Sequence, residues 1–440
     1  MNEKYNVKGG IIDTDNLPFF SVIIPQKNRS EFLIHTLKTC MIQDYPKFEI
    51  IVSDDCSDDN SVAMIQQLAQ NDHRIKLFAH KTHLGMRDNF EFALNQVKPG
   101  YVIALGGDDG LVPGCIWRML EIIQKTKTEL LTWRPAGFMY PETETEPTFF
   151  SVPRVRKTGI RYISSEVFLN KMATTLRYLV DDCPMIYVKG VASTELINKV
   201  KSRTKDGCFY YCPTPDGFSG IVLAGEVDKY VFTEEPLSIV GTTTKSQGKN
   251  YARTDPVSRK EAEEFFNDNI RKTMHKELAN QPYSPLTTLM TADYLLTAKD
   301  LPGWPGKFKS FSYEHLIKTV FKQISTTSFD NAVLTRELLI LREIANKHNL
   351  LELFNSLYKK TIRKRPLGKT RYGFAITHSY RFNGTELGLH NIYDASLAVN
   401  FAYKFCNKLS LGLFFKAFIT SLMIVFDQKK HTKSHLPSIN

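Results

Sequence analysis

Residues 101–114, YVIALGGDDGLVPG, combine a short apolar run with two glycines and two adjacent aspartates. The apolar run 101–105 predicts a buried strand that ends at the turn 106–110. Carboxylates in such a turn lie at the rim of a sheet, where unpaired negative charge is costly and a divalent cation is the usual partner. Taken alone, the same residues are equally consistent with an ordinary turn whose aspartates cap a helix starting near Gly114.

Three apolar, β-branched runs precede this strand, and an amphipathic helical pattern follows each of them. The runs cover residues 19–24, 48–52 and 75–79, and the helical patterns cover residues 30–43, 62–69 and 90–97. Continuous rather than alternating apolar strands are typical of a parallel sheet that is covered by helices on both faces. The sequence therefore predicts an α/β fold with a Rossmann-like, mostly parallel central sheet.

Right-handed crossovers between parallel strands place every strand-to-helix loop at one edge of the sheet. The predicted loops are residues 25–29 (PQKNR), 53–59 (SDDCSDD), 80–89 (HKTHLGMRDN) and 106–110 (GGDDG). Ligands of open α/β sheets bind at this edge. We therefore expect the four polar loops to form one site, with a ligand between them.

The second loop carries two adjacent aspartates, Asp54 and Asp55. Capping of the next helix by Ser57 requires only one side chain. Carboxylates at a strand end can also accept hydrogen bonds from a base edge or a ribose. We therefore predict that Asp54, Asp55 and Ser57 contact a nucleotide, with helix capping as the alternative.

The first and third loops carry basic residues that suit an anion. Arg29 follows Pro25 and Asn28 at the end of the first strand and offers a planar fork to a phosphate. Gly85 and Arg87 open the third helix, where free backbone N–H groups favour negative charge. We predict contacts to a nucleotide diphosphate from these residues, whereas His83 is expected to be a loop histidine with protein partners.

In the fourth loop, Asp108 and Asp109 are the predicted metal ligands, beside Gly107 as a ligand-binding residue. Mg²⁺ or Mn²⁺ is typically held by one or two carboxylates together with phosphate oxygens of the substrate. Such an ion stabilises the negative charge that develops on a departing diphosphate.

The composition is that of a folded soluble protein with a net charge of +11 and seven cysteines. The N-terminus lacks a secretory signal pattern, and scattered cysteines favour a reducing compartment. Cys208 and Cys212 have no matching second pair, so a zinc site is not expected. Residues 358–371 are basic without an acid, which suits a solvated face, an anionic membrane or a nucleic acid.

The predicted organisation is a leader (1–18), the α/β domain (19–256) and a helical domain (257–440). Strands are expected at 130–140, 185–188 and 229–239, and a mobile loop or linker at 241–255. Long helical patterns follow at 259–280, 313–324, 331–364 and 389–409. The last one leads into the apolar run 409–426, which suits either a buried helix or one that lies on a membrane, with lysines after it up to residue 433.

The blocks FSVIIPQKNR, EIIVSDDCSDD, HLGMRDNFEFAL and YVIALGGDDGLVPG together resemble the successive motifs of family 2 glycosyltransferases, which have the GT-A fold. The resemblance covers about residues 19–239 and rests on the order and spacing of all four blocks. It implies inverting, metal-dependent transfer of one sugar from a nucleotide-diphosphate donor to an acceptor hydroxyl. It also implies that Asp54 and Asp55 hold the base and ribose and that Asp108 holds the metal.

One position departs from the family pattern, because Gly106 stands where the first acid of a DxD motif would be. Asp108 is then the main metal ligand, with Asp109 as its neighbour. The family's catalytic base is an acid in the second half of the domain, and Asp216 in PTPDGFSG fits that place best. A turn-forming Asp-Gly pair is the alternative for Asp216.

From the resemblance we expect a non-processive bacterial enzyme that builds surface glycans such as lipopolysaccharide or capsule. Its partners would be a nucleotide sugar and a glycan or lipid-linked glycan acceptor, with peripheral membrane contact through residues 358–371 and 409–433. The expected location is the cytoplasm or the inner face of the cytoplasmic membrane, and no nucleic-acid partner is expected. The alternatives are a catalytically silent nucleotide-sugar-binding or scaffold module and a nucleotidyltransferase.

Overall fold

A computed structural model of the protein describes residues 5–7, 10–12, 14–143, 145–155, 159–246, 256–268, 273–326, 329, 331–364 and 379–408. The predicted linker 241–255 and the basic run 358–371 lie partly outside these residues. The apolar run 409–426 and the lysines after it lie wholly outside them.

The strands of the described residues are β1 (Tyr5–Val7), β2 (Gly10–Ile12), β3 (Phe19–Gln26), β4 (Phe48–Asp54), β5 (Ile75–Ala79), β6 (Gly100–Ala104), β7 (Gly110–Leu111), β8 (Leu130–Trp133), β9 (Ala136–Met139), β10 (Phe149–Pro153), β11 (Ile160–Ser164), β12 (Gly190–Ser193), β13 (Lys229–Thr233), β14 (Ser238–Thr242) and β15 (Ser379–Asn383). The α-helices are α1 (Ser30–Met41), α2 (Ser61–Asn71), α3 (Met86–Leu94), α4 (Cys115–Thr126), α5 (Ser165–Thr175), α6 (Thr194–Lys201), α7 (Asp216–Gly225), α8 (Pro256–Asp268), α9 (Thr287–Lys299), α10 (Tyr313–Thr326), α11 (Asn331–Lys347), α12 (Leu351–Lys364) and α13 (Ile392–Lys408). Short 3-10 turns lie at Thr14–Asn16, Lys276–Leu278 and Thr385–Leu387.

An eight-stranded sheet with the order β11-β13-β8-β12-β6-β3-β4-β5 forms the centre of the molecule. Strands β6, β3, β4 and β5 are parallel neighbours, whereas β12 runs antiparallel to β6 and β8. Every residue of β4 is buried, including Glu49, and burial on both faces explains why Ile50, Ile51 and Val52 follow one another without alternation. The predicted α/β fold with a mostly parallel central sheet is confirmed.

A second, five-stranded sheet with the order β15-β10-β9-β14-β7 begins at the turn after β6. The run 130–140, predicted as one strand, is divided between the two sheets as β8 and β9, with Arg134 and Pro135 at the break. Proline has no N–H to donate to a ladder and therefore marks such a break. The predicted strand 229–239 is divided in the same way, and the one at 185–188 lies instead at β12, with only an isolated bridge at Tyr187.

Helices α9 to α12 share one hydrophobic cluster, which includes Leu289, Leu316 and Leu341. The predicted helical region after the sheets is confirmed, with three differences. The helix predicted at 259–280 is described over Pro256–Asp268 and does not include residues 273–280, and the one at 331–364 is broken where Asn349 takes a left-handed φ of 58°. Helix α9 was not predicted, because it is buried at every position from 288 to 295 and shows no amphipathic period.

Residues 379–408 pack on the sheets, although the sequence assigned them to the helical domain. Strand β15 pairs with β10, and α13 contacts α1 and four strands of the second sheet. Ile392, Ala395 and Val399 of α13 belong to the same hydrophobic cluster as β3 and β4. The domain boundary near residue 257 stays a prediction, but this last described segment completes the α/β part.

Candidate active site

The first and second strand-end loops are joined by hydrogen bonds. The backbone N–H of Asp55 donates to Gln26 O over 2.9 Å. The N–H of Asn28 donates to Ser57 Oγ over 2.9 Å, and the N–H of Asp58 donates to Asn28 Oδ1 over 2.9 Å. Because β3 and β4 are parallel neighbours, their exits meet at one edge, as the sequence predicts.

Asp55 joins the second loop to the third. Its carboxylate accepts the N–H of Leu84 over 2.6 Å and that of Gly85 over 3.1 Å, and His83 Nδ1 lies 2.8 Å from Oδ2. The other ring nitrogen of His83 lies 2.9 Å from Asp268 at the end of α8. His83 is therefore a loop histidine with protein partners, as expected.

Asp54 is buried and is also satisfied within the protein. Its Oδ1 accepts the N–H of Ser57 over 3.0 Å, and its Oδ2 accepts the side-chain amide of Gln26. Both aspartates thus hold the loops around them in place, and Pro25 lies within β3 beside this network. Contact of Asp54, Asp55 and Ser57 with a nucleotide stays a prediction.

Asp108 joins the fourth loop to the first. Arg29 lies 3.2 Å from Asp108 Oδ2 and also donates to Lys245 O over 2.7 Å. The hydroxyls of Thr243 and Ser246 donate to the same oxygen over 3.1 and 3.2 Å. The segment after β14 therefore returns to the sheet edge and closes one side of the site.

Asp109 has a different role from its neighbour Asp108. Its Oδ2 accepts the N–H of Gly106 over 2.8 Å, and its Oδ1 accepts the N–H of Gly241 over 2.9 Å. Burial, and then the charge of Asp108, raise the pKa of Asp109 to about 7. Because both oxygens already serve the backbone, the geometry does not favour the predicted metal ligation by Asp109.

Gly106, the departure from a DxD motif, lies where a side chain does not fit. A Cβ atom there would come within 2.7 Å of Asp109 Oδ2 and of the Tyr187 hydroxyl, and within 3.1 Å of Asp108 Oδ1. A Cβ on Gly107 would lie 3.1 Å from Arg29 Cδ. A side chain at position 106 would therefore require Asp109 or Tyr187 to shift.

A divalent cation at this edge of the sheet would need oxygen atoms of a bound substrate and water in addition to the protein side chains. Within the residues that the structure describes, no group of three or more His, Cys, Asp or Glu side chains could hold an ion. Asp108 offers Oδ1, since its contacts with Arg29, Thr243 and Ser246 all use Oδ2. One carboxylate oxygen completed by substrate phosphates and water is a usual Mg²⁺ arrangement.

Arg87 is directed toward a segment outside the four loops. Its Nε donates to Tyr210 O, and its terminal nitrogens lie 2.5 Å from Asp88 and 3.7 Å from Asp206. The structure therefore does not bring the Arg87 guanidinium to Asp108. Its predicted contact with a phosphate stays a prediction.

Asp216, the predicted base, is the first residue of α7. Its Oδ2 accepts the Tyr178 hydroxyl over 2.8 Å, and its Oδ1 is buried without a hydrogen-bond partner. Burial raises the pKa of the Asp216 carboxyl above its ordinary value. A purely turn-forming aspartate does not need a buried unpaired oxygen, which is costly to maintain.

Tyr187 lies between the turn after β6 and the surroundings of Asp216. Its hydroxyl lies beside the turn at Gly106. Burial and the nearby carboxylates of Asp109, Asp108 and Asp216 together raise the pKa of Tyr187 well above its ordinary value. The turn after β6 and the start of α7 therefore lie around the same buried tyrosine.

Sequence reasoning missed four contributors to this site. They are Tyr178, Tyr187, Thr243 and Ser246. Hydroxyl residues such as these are common, and Tyr178, Thr243 and Ser246 lie 38 or more positions along the chain from the aspartates that they contact. No spacing pattern in the sequence singled them out.

The comparisons with known proteins agree on the α/β part of the chain. Residues 21–183 match the family model described as Glycosyl transferase family 2. A Campylobacter jejuni protein named GalNAc(5)-diNAcBac-PP-undecaprenol beta-1,3-glucosyltransferase is 35% identical over 106 residues, 24% of this chain and 34% of that protein. The putative teichuronic acid biosynthesis glycosyltransferase TuaG of Bacillus subtilis is 29% identical over 108 residues, 24% of this chain and 43% of that protein.

A solved structure of S. aureus TarS 1-349 in complex with UDP-GlcNAc aligns over 82% of this chain and 98% of that one, with 13% identity and a TM-score of 0.42. The chain spans roughly a third to two fifths of the length of the two curated relatives. The family match covers strands β3 to β6 and the loops at their ends. Together with the observed sheet, it confirms the predicted GT-A fold class.

Proposed function

We propose that this protein is an inverting, metal-dependent glycosyltransferase, because residues 21–183 match the family model described as Glycosyl transferase family 2. It moves one sugar from a nucleotide-diphosphate donor to an acceptor hydroxyl during synthesis of a surface polysaccharide such as lipopolysaccharide or capsule. The observation that supports this best is the contact network that joins four strand-end loops around Asp54, Asp55 and Asp108.

The donor lies at this edge of the sheet in the proposal. Asp54 and Asp55, already fixed by backbone donors, border the base and ribose. Arg29 supplies a planar cation beside the diphosphate. Mn²⁺ or Mg²⁺ would be held by Asp108 Oδ1 and the donor phosphates, and when bound it stabilises negative charge on the departing nucleotide diphosphate.

Asp216 acts as the general base. Its unpartnered Oδ1 accepts the proton of the acceptor hydroxyl while the acceptor oxygen forms a bond to the anomeric carbon. The bond between that carbon and the nucleotide diphosphate breaks on the opposite face, so the anomeric configuration inverts. A positioned base of this kind is typically worth about 10²–10⁴-fold in rate.

Release of nucleotide diphosphate from donor sugars in the presence of Mn²⁺ tests the proposal. Asp108→Asn should lose turnover, because it replaces the charged metal ligand by a neutral amide. Asp44→Asn is the matched control, since Asp44 is an exposed aspartate in the turn before β4, at the opposite edge of the sheet. If the wild-type protein turns over no donor, and Asp108→Asn binds nucleotide as the wild type does, a silent binding module is favoured instead.

The acceptor in this proposal is a glycan or lipid-linked glycan. The Campylobacter relative carries an undecaprenol-linked glycan in its name, and the Bacillus relative is named for teichuronic acid biosynthesis. An acceptor of that chemistry would place the protein at the inner face of the cytoplasmic membrane. We propose a peripheral contact. No helix among the described residues is long and apolar enough to cross a lipid bilayer.

Helix α13 offers a surface for that contact. Leu397, Phe401 and Phe405 lie one turn apart on its outer face and are 51%, 72% and 47% exposed. The two phenylalanine rings stack with centroids 5.6 Å apart. The chain then continues into the apolar sequence 409–426 and Lys429, Lys430 and Lys433, a composition that suits an anionic lipid surface.

Sedimentation of the full chain with vesicles that contain anionic lipid tests this contact. We expect binding that is lost in a Phe401→Glu, Phe405→Glu double variant. Leu339→Glu is the control, because Leu339 is a 55% exposed leucine on a different helix. The assignment of this face to lipid would be wrong if the double variant and Leu339→Glu bound vesicles equally. It would also be wrong if the wild type formed a dimer that only the double variant disrupts.

A further inference from the structure

The carboxylate of Asp216 is bonded asymmetrically. One oxygen accepts the Tyr178 hydroxyl over 2.8 Å, and the other is buried with no partner. A hydrogen bond from a hydroxyl to a carboxylate fixes the rotation of the carboxylate as well as stabilising its charge. The direction of the free oxygen is therefore set by the position of Tyr178.

Tyr178 is itself held rigidly. It is 4% exposed, and its backbone N–H donates to Thr291 Oγ1 of α9 over 3.1 Å. Its ring packs edge-on against Tyr294, also on α9, with centroids 5.5 Å apart. A tyrosine held at both its backbone and its ring has little freedom to move its hydroxyl.

The start of α7 is shaped to admit these two rings. A Cβ on Gly217 would lie 2.5 Å from the Tyr294 ring and 2.6 Å from the Tyr178 ring. The absence of a side chain at this position lets both rings pack closely against the residue that follows Asp216. The arrangement thus depends on residues from three separate parts of the chain.

We propose that Tyr178 is a positioning residue for Asp216, holding Oδ2 so that Oδ1 faces the acceptor hydroxyl. This inference rests on the proposed function, in which Asp216 is the base. Burial disfavours the ionised carboxylate, and hydrogen bonds from the Gly217 backbone and the Tyr178 hydroxyl oppose that effect. Tyr178 therefore also makes the pKa of Asp216 lower than burial alone would make it, and the backbone bond to Thr291 connects Tyr178 to helix α9.

The pH profile of kcat in Tyr178→Phe tests the proposal. Loss of the hydroxyl removes a bond to the ionised form, so the acidic limb of the profile should move to higher pH. We expect about a tenfold loss of kcat on the acidic side and an unchanged donor KM, since a hydrogen bond to a charged group is lost. Asp216→Asn should remove transfer at every pH.

Tyr230→Phe is the matched control. Tyr230 is a buried tyrosine of the same hydrophobic cluster whose hydroxyl bonds to Asp182 O over 2.6 Å, away from Asp216. It should lose similar stability and keep the wild-type pH profile. If Asp216→Asn is inactive and Tyr178→Phe has the same pH profile of kcat as Tyr230→Phe, the positioning role of Tyr178 is wrong. The assignment of Asp216 as the base is then still supported. If Asp216→Asn retains full activity, the proposed base itself is wrong.

Discussion

Two buried carboxylates in this protein have opposite hydrogen-bonding patterns. Asp109 accepts backbone N–H groups on both oxygens, from Gly106 and Gly241. Asp216 accepts one side-chain hydroxyl and leaves its second oxygen unpaired. Burial raises the pKa of both groups, so titration alone does not distinguish them. In the proposal, the fully bonded carboxylate of Asp109 serves the fold, whereas the half-bonded carboxylate of Asp216 is the general base.

The largest effect should come from Asp216→Asn. The variant removes the proton acceptor, so we expect a loss of about 10²–10⁴-fold in kcat. Its melting temperature should equal or exceed that of the wild type, because asparagine places no charge in a buried position. Transfer kinetics combined with a melting curve measure both. If Asp216→Asn lowered the melting temperature and kept the specific activity of the wild type, Asp216 would serve the fold in the way proposed for Asp109.

Asp109→Ala should act on stability instead. It leaves the N–H groups of Gly106 and Gly241 buried and unpaired, at a combined cost of about 2–4 kcal/mol in the free energy of unfolding. Asp108→Ala should cost less, because it removes a like charge beside Asp109 and loses contacts with side chains (Arg29, Thr243 and Ser246) instead of leaving backbone N–H groups unpaired. Denaturant unfolding of the two alanine variants, with Asp44→Ala as the exposed control, compares them. Equal losses for Asp108→Ala and Asp109→Ala would contradict the division of roles.

Gly106→Asp sharpens the same comparison, because it restores the acid that a DxD motif would have. The close packing around Gly106 nevertheless predicts a loss of stability, because the added Cβ would clash with Asp109 Oδ2 and the Tyr187 hydroxyl. Overpacking of this kind costs about 1–3 kcal/mol. We expect lower stability and lower activity, without rescue by added Mn²⁺. A more active variant in Mn²⁺ would show that the turn can open to a second metal ligand.

The smallest effect concerns Asp293 on α9, a buried carboxylate away from the sheet edge. Burial raises its pKa to about 7, and it accepts the N–H of His275 over 2.7 Å. The folded state therefore keeps a proton that the unfolded chain has already lost, and stability falls as the pH rises from the ordinary aspartate range toward 7.

Asp293→Asn should remove the loss of stability that occurs as the pH rises. Its melting temperature should exceed that of the wild type by about 2–4 °C at a pH near 8, and the gain should shrink toward pH 5. Turnover should stay unchanged, in contrast to Asp216→Asn. A gain that is equal at both pH values would mean that ionisation of Asp293 is not its cause.

The sheet edge was predictable because it depends on local patterns. The four parallel strands are mostly apolar without strict alternation, with Glu49 and Lys76 among the charged exceptions, and β5 spans the predicted residues Ile75–Ala79. Because crossovers between parallel strands are right-handed, the loops that follow these strands meet at one edge of the sheet. The convergence of Asp54, Asp55 and Asp108 on one edge followed from these two facts.

The features that were not predicted depend on contacts between distant parts of the chain, which leave no local pattern in the sequence. Helix α9 is buried on all sides, so its sequence lacks the period by which helices are recognised. Thr243 and Ser246 reach Asp108, and Tyr178 reaches Asp216, across long stretches of chain. Residues 379–408 return to the sheets after the helical region, which composition alone did not indicate.

Calorimetric titration of nucleotide diphosphates and nucleotide sugars with Mn²⁺ tests the central claim most directly, that one sheet edge binds the donor while Asp216 performs the proton transfer. The wild type and Asp216→Asn should bind at least one UDP, GDP or dTDP ligand with similar affinity, and Asp108→Asn should lose Mn²⁺-dependent binding. Loss of binding in Asp216→Asn, or unchanged Mn²⁺-dependent binding in Asp108→Asn, would contradict it.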